Sequence, residues 1–151
     1  MKTTFLIFLL AVICSCSRTG FNNDFLTFEL RIAQDNPDPN YKEMVLYNSD
    51  QKFFVSDSVY LNNDHIASTE IIDWDKHPKV RVILNDDGRQ KFAEFTEKNI
   101  GKMAAVIVDN KLISAPRING PIREGQLIIA GLFNHEEALN ISDGILTKDQ
   151  P

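Results

Sequence analysis

Apolar and polar residues alternate strictly at the first long pattern of the chain. Leu26, Phe28, Leu30 and Ile32 fall on one face, with Thr27, Glu29 and Arg31 on the other. A period of two predicts a half-buried strand over 25–33. Asp35-Asn36-Pro37-Asp38-Pro39-Asn40 then reads as a loop, because its two prolines forbid regular pairing. Short strands are expected at 44–47 and 52–56, around the Asn48-Ser49-Asp50 turn, with another extended piece at 59–61. One helical turn is expected over 63–68, capped by Asn62 or Asn63. Strands follow at 70–74 and 79–84. In the second, Val80, Val82 and Leu84 share a face, and Pro78 marks the turn before it.

The clearest helix opens at Asn85-Asp86-Asp87-Gly88, where acidic residues suit the positive end of the helix dipole. Phe92, Phe95 and Asn99 recur at helical spacing, and Gly101 terminates the helix. Asn99 is expected to hydrogen-bond the turn and Ile100 to plug the core. Met103 to Val108 is a continuous apolar run, as in a central strand. Asp109-Asn110 is a two-residue turn that favours left-handed conformations, so the chain returns as a hairpin through 111–114. Pro116 ends the pairing, and 114–125 is an irregular stretch with prolines, glycines, Arg117 and Arg123. A last strand is expected at 126–130. Asn134-His135-Glu136-Glu137 resembles a capping box ahead of a helix carrying Ala138, Leu139 and Ile141. The order of elements predicts an α+β fold: one small domain, mainly antiparallel sheet, with two to three helices.

Nine apolar residues from Phe5 to Ile13 come earlier still, behind Met1-Lys2. This run is shorter than the ~20 residues that span a bilayer. It fits the apolar part of a secretory signal over 1–15. Ile13-Cys14-Ser15-Cys16 resembles a bacterial lipobox, which places the lipid on Cys16; at Cys14 the bulky Ile13 would occupy the small position. A Cys14–Cys16 disulfide would be badly strained, and an uncleaved anchor helix is disfavoured by the length of the run. Residues 16–24 then form a polar lipidated tether. Lipid chains bury about 0.8 kcal/mol per methylene, so attachment to a membrane is expected.

Cleavage would leave 136 of the 151 residues, enough for one domain. Hydrophobic residues are 43% of the chain, enough for a core. Of the charged side chains only Lys2 lies in 1–15, so 15 basic residues face 21 acidic ones, a net of −6. No basic patch offsets that sign, which argues against a nucleic-acid partner.

His65, His77 and His135 show no metal-ligand spacing, and no metal or cofactor is expected. Ser114 and Thr96 lack a nucleophile signature. Asp86-Asp87 is better explained by the helix dipole than as a catalytic pair. Phe53, Phe54, Tyr60 and Trp74 are candidate walls of an apolar groove for peptide. Arg117 and Arg123 are candidate partner contacts, because loops on a rigid scaffold often carry binding.

Six segments, in order, carry a family resemblance. They are Leu61-Asn62-Asn63-Asp64-His65-Ile66, the run from Val80 to Gly88, Phe95-Thr96-Glu97-Lys98-Asn99-Ile100-Gly101-Lys102, Ala105 to Asp109, Ile113 to Ile118, and Ile129-Ala130-Gly131 with Glu136-Glu137-Ala138. This series resembles the head of the large periplasmic domain of SecD, a membrane subunit that assists protein secretion. It covers 59–147 and leaves 25–58 as N-terminal strands and a proline loop outside the match. The transmembrane part and the base of that domain have no counterpart here. The resemblance implies the head fold; taken with the lipobox and the absence of a nucleophile or metal signature, the expectation is a non-enzymatic envelope lipoprotein outside the cytoplasm. The resemblance also implies transient contact with an emerging, unfolded polypeptide in connection with export. A structural subunit with one fixed envelope partner, or a hydrolase of envelope polymers, are the alternative readings.

Overall fold

Residues 25–72, 77–131 and 134–146 are described by the structure, a computed structural model. The signal, Cys16, the tether and Trp74 therefore lie outside the described residues. The elements run β1 (Phe28–Gln34), β2 (Lys42–Val45), β3 (Lys52–Val55), β4 (Leu61–Asn62), a 3-10 turn (Asn63–His65), β5 (Ile66–Ile72) and β6 (Lys79–Leu84). Then come α1 (Asp86–Lys98), β7 (Met103–Val108), β8 (Lys111–Ser114), β9 (Gln126–Ile129) and α2 (His135–Gly144).

The strands form two sheets, and every ladder is antiparallel. The larger has the order β2-β3-β1-β7-β8, with β4 also beside β1; the smaller is β5-β6-β9. β1 lies at the centre of the larger sheet, in register with β7 from Phe28–Val108 to Ala33–Met103. The segment before residue 59 thus completes the same sheet as the segment after it. This sheet curls until its edges meet. Leu46 bridges Leu112, and Tyr47 N–H donates to the Leu112 carbonyl at 2.7 Å.

The main core lies between the sheets and under the helices. Phe28, Leu30 and Ile32 of β1, with Val106 and Val108 of β7, meet Val80, Val82 and Ile129 of the smaller sheet. Phe92 and Phe95 of α1, with Ala138 and Ile141 of α2, complete it. Truncating a buried phenylalanine such as Phe95 to alanine typically costs about 3–5 kcal/mol. Inside the curl, a second cluster gathers Ala33, Phe53, Val55, Ala105, Ile107 and Leu112. The continuous apolar run of β7 has this cause: its two faces serve two cores.

Local chemistry sets the ends of the elements. Asn85 Oδ1 accepts from Gly88 N–H at 2.9 Å and caps α1. Asn134 and Glu137 cap α2 reciprocally, at 2.9 and 3.1 Å. Asp109 and Asn110 both have positive φ, 48° and 60°, as the two-residue hairpin requires. Asn63 holds three segments together from a buried position. Its Oδ1 accepts from Phe28 N–H at 2.9 Å, and its Nδ2 donates to the carbonyls of Leu26 at 2.9 Å and Ile145 at 2.8 Å.

Three expectations are corrected. The helical turn stops at His65, because Ile66 already pairs with Leu84 in β5. Ile100 is 55% exposed and does not plug the core. Gly101, at φ 86°, turns the chain beyond it, and Ile118, 3% exposed, fills that role from the opposite segment. Leu139 is 42% exposed, so α2 buries Ala138 and Ile141 instead.

Candidate functional site

Open grooves mark the described surface, and the larger ones carry candidate residues. The first, about 570 Å³, runs between residues 59–62 and α1. Its floor is the Tyr60 ring against Phe95, centroids 4.7 Å apart and tilted by 58°. Its rim is polar. Lys91 Nζ stands 2.8 Å from Asp87 Oδ2 and 2.8 Å from His65 Nε2. Lys98 pairs with Glu94 at 3.3 Å. The Asp87 carboxyl is held below its ordinary range by the hydrogen bond from Lys91. That of Glu94 is held low by hydrogen bonds from Gln90 and then Lys98. Both carboxylates are thus poised as ion-pair partners. A general acid near neutrality needs the opposite shift.

The second groove, about 490 Å³, lies beneath residues 116–122. Ile118 is its buried anchor: Gly101 N–H donates to the Ile118 carbonyl, and Ile118 N–H to the Lys102 carbonyl, both at 2.8 Å. Thr96, 1% exposed on α1, accepts from Ile122 N–H at 2.9 Å and donates to the Phe92 carbonyl at 2.9 Å. The irregular stretch is therefore held at both ends, and Ile122 and Ile128 stand at its mouth, 37% and 40% exposed. Arg117 Nη1 donates to the Gly101 carbonyl at 2.5 Å. Arg123 lies farther out, 3.4 Å from Glu97.

The third groove, about 730 Å³, adjoins the second at Pro116 and Ile128 and reaches Phe53 and Tyr47. Tyr47 Oη donates to Glu137 Oε1 at 2.8 Å, tying the β2–β3 turn to α2. Its phenol is pushed up to about 12, first by burial and then by that bond.

The candidate residues are dispersed over these features. Phe53 is 4% exposed inside the curl, while Phe54, next along the same strand, points to the opposite face and is half-buried. Tyr60 belongs to the first groove and Arg117 to the second. The single aromatic groove expected from Phe53, Phe54 and Tyr60 is thus not assembled, and Trp74 lies outside the described residues. Ile122 and Ile128 were not singled out from the sequence. In a run such as Leu127-Ile128-Ile129 every residue is apolar, and only the sheet shows which one is turned outward.

Residues 40–145 match the family described as SecDF, P1 head subdomain. The chain belongs to that family. Its P1 head match starts at 40, upstream of the expected 59, and so takes in β2 and β3. Among SecD relatives, the protein translocase subunit SecD of Dictyoglomus turgidum is 45% identical over 65 residues, covering 43% of this chain and 16% of that protein. The SecD of Leptotrichia buccalis is 47% identical over 66 residues, 44% of this chain and 16% of its own. The SecD of Rickettsia typhi is 39% identical over 85 residues, 56% of this chain and 16% of its own. The chain thus spans about a sixth of the length of the SecD relatives it matches.

Two solved structures share the fold. SecDF in its super-membrane-facing form aligns with a TM-score of 0.65 at 23% identity, covering 82% of this chain and 19% of that one. A second SecDF structure, of the membrane component that enhances protein export, gives 0.65 at 23% identity, covering 82% and 63%. The described residues contain no helix long and apolar enough to cross a membrane.

Proposed function

We propose that this chain is an envelope lipoprotein, anchored through Cys16, whose P1 head domain binds unfolded polypeptide in connection with protein export. The observation that carries the reading is the family match over 40–145, joined to the apolar groove held open beneath 116–122. Arg117 is a rim contact of that groove. Arg123, beside Glu97, stands farther out on the same stretch. The domain works outside the cytoplasm and catalyses no reaction.

Binding would be reversible and tolerant of sequence, because apolar burial is non-directional. Isothermal titration of the full chain with a reduced, unfolded envelope polypeptide tests the proposal. Saturable heat that disappears when the client is folded is the expected result. Neither heat nor saturation with any unfolded client would remove the proposal.

A further inference from the structure

The smaller sheet ends in an edge strand, β9, whose outer side pairs with no strand among the described residues. In an antiparallel ladder, residues alternate between pairs that exchange hydrogen bonds and pairs whose N–H and C=O point away. Leu84 N–H donates to the Gly125 carbonyl at 2.9 Å, so Leu84–Gly125 is a bonded pair. Two residues on, Leu127 and Ile129 likewise bond to β6. Gln126 and Ile128 lie opposite Ile83 and Arg81 in the other kind of pair, with N–H and C=O directed outward. Neither makes a hydrogen bond on that side within the described residues.

Edges of this kind are usually blunted by charge, proline or a bulge. β5, at the opposite edge, carries Glu70 and a bulge between Ile66 and Ser68. β9 reads Gln126-Leu127-Ile128-Ile129 and has neither charge nor proline nor bulge. Gln126, Leu127 and Ile128 of this strand line the second groove, and Ile128 is shared with the third. The side chains along both grooves include one charged residue, Arg117, in a chain that is 25% charged.

We infer that the open edge of β9 is where an extended, uncharged, apolar stretch of polypeptide adds as a further strand, with alternate side chains in the flanking grooves. This rests on the polypeptide-binding reading and gives it a place. The unpaired main-chain groups select an extended backbone, since a helix has already paired its own. The uncharged lining selects the side chains, since a carboxylate or ammonium there would lose hydration without a partner.

The test is fluorescence anisotropy of a short labelled peptide of alternating Val and Thr. It is titrated with the full chain in nanodiscs, against empty nanodiscs. Saturable binding is expected. Ile128→Pro, Ile128→Lys and complete N-methylation of the peptide should each weaken it at least about tenfold, a change of about 1.4 kcal/mol. Tyr60→Ala, in the other groove, should leave it unchanged. Ile128→Lys alters no main-chain group, so it stands as the folded control if the proline variant melts early. Binding that survives all three changes would overturn the edge inference and leave polypeptide binding to another face. Failure of the wild-type chain to bind either this peptide or a reduced, unfolded protein would remove the functional proposal, and the edge with it.

Discussion

Asn63→Ala is the most informative single perturbation of the fold. Asn63 is 7% exposed, and its amide makes three hydrogen bonds of 2.8–2.9 Å to main-chain groups far apart in sequence. Truncation leaves Phe28 N–H and the carbonyls of Leu26 and Ile145 without that partner. At roughly 1 kcal/mol for each buried group left unpaired, the cost is roughly 3 kcal/mol. That is a large fraction of the 5–15 kcal/mol by which domains are typically stable, roughly speaking. With a urea slope of about 1–3 kcal/mol/M, the unfolding midpoint should fall by roughly 1 M or more at unchanged slope. Asn63→Asp sharpens the test. It keeps the acceptor for Phe28 N–H but sets a carboxylate against two carbonyls. At pH 7 it should be at least as damaging as alanine. It should recover partly in acid, where a neutral carboxyl can donate to one carbonyl. The readout is circular dichroism across a urea series, with hydrogen exchange at the Phe28 amide as a local check. An Asn63→Ala unfolding free energy within about 0.5 kcal/mol of wild type would refute the reasoning.

Other outcomes follow from the same geometry. A Cβ on Gly88 would stand 2.5 Å from the His65 carbonyl oxygen and 2.9 Å from His65 Cβ. Gly88→Ala should therefore destabilise the fold by about 1–3 kcal/mol through strain and lower the thermal midpoint, although alanine is the better helix former; a raised midpoint would contradict it. Thr96→Val leaves Ile122 N–H without its acceptor, so exchange at that amide should quicken while the middle of α1 stays protected. Equal exchange in both proteins would remove Thr96 as the anchor of the 116–122 stretch. Tyr47 ionises late, at about 12, against about 10 for a free phenol. Its raised value stabilises the fold fully below pH 10, and that contribution is lost as pH rises through about 12. A spectrophotometric titration should show a phenolate step near 12 that Tyr47→Phe abolishes; a step that persists in the variant would contradict the assignment.

Where a local rule suffices, the structure agrees with the sequence to the residue. β6, β7 and β8 occupy 79–84, 103–108 and 111–114, because a period of two or an unbroken apolar run is bounded by turn residues at each end. The capping box at Asn134 and Glu137 forms as its spacing implies. Long-range choices were less legible. Whether Ile100 or Ile118 turns inward depends on the path after Gly101 and on pairing sixteen residues away, between Arg117 and Gly101. Phe53 and Phe54 could have been separated from the start, since neighbours on a strand face opposite ways. The grooves draw their walls from β3, α1, the 116–122 stretch and β9, and no spacing along the chain reports that convergence. The bonding parity that turns Ile128 outward belongs to the β6–β9 ladder and is absent from the sequence of β9 alone.

The most direct test of the central claim is photo-crosslinking in intact cells, with a photoreactive residue in place of Ile122 at the groove mouth. Adducts distributed over many secreted chains, and enriched when export is slowed, are the predicted result. One discrete adduct, or none, would contradict client binding; a single band would make this P1 head the subunit of a dedicated partner.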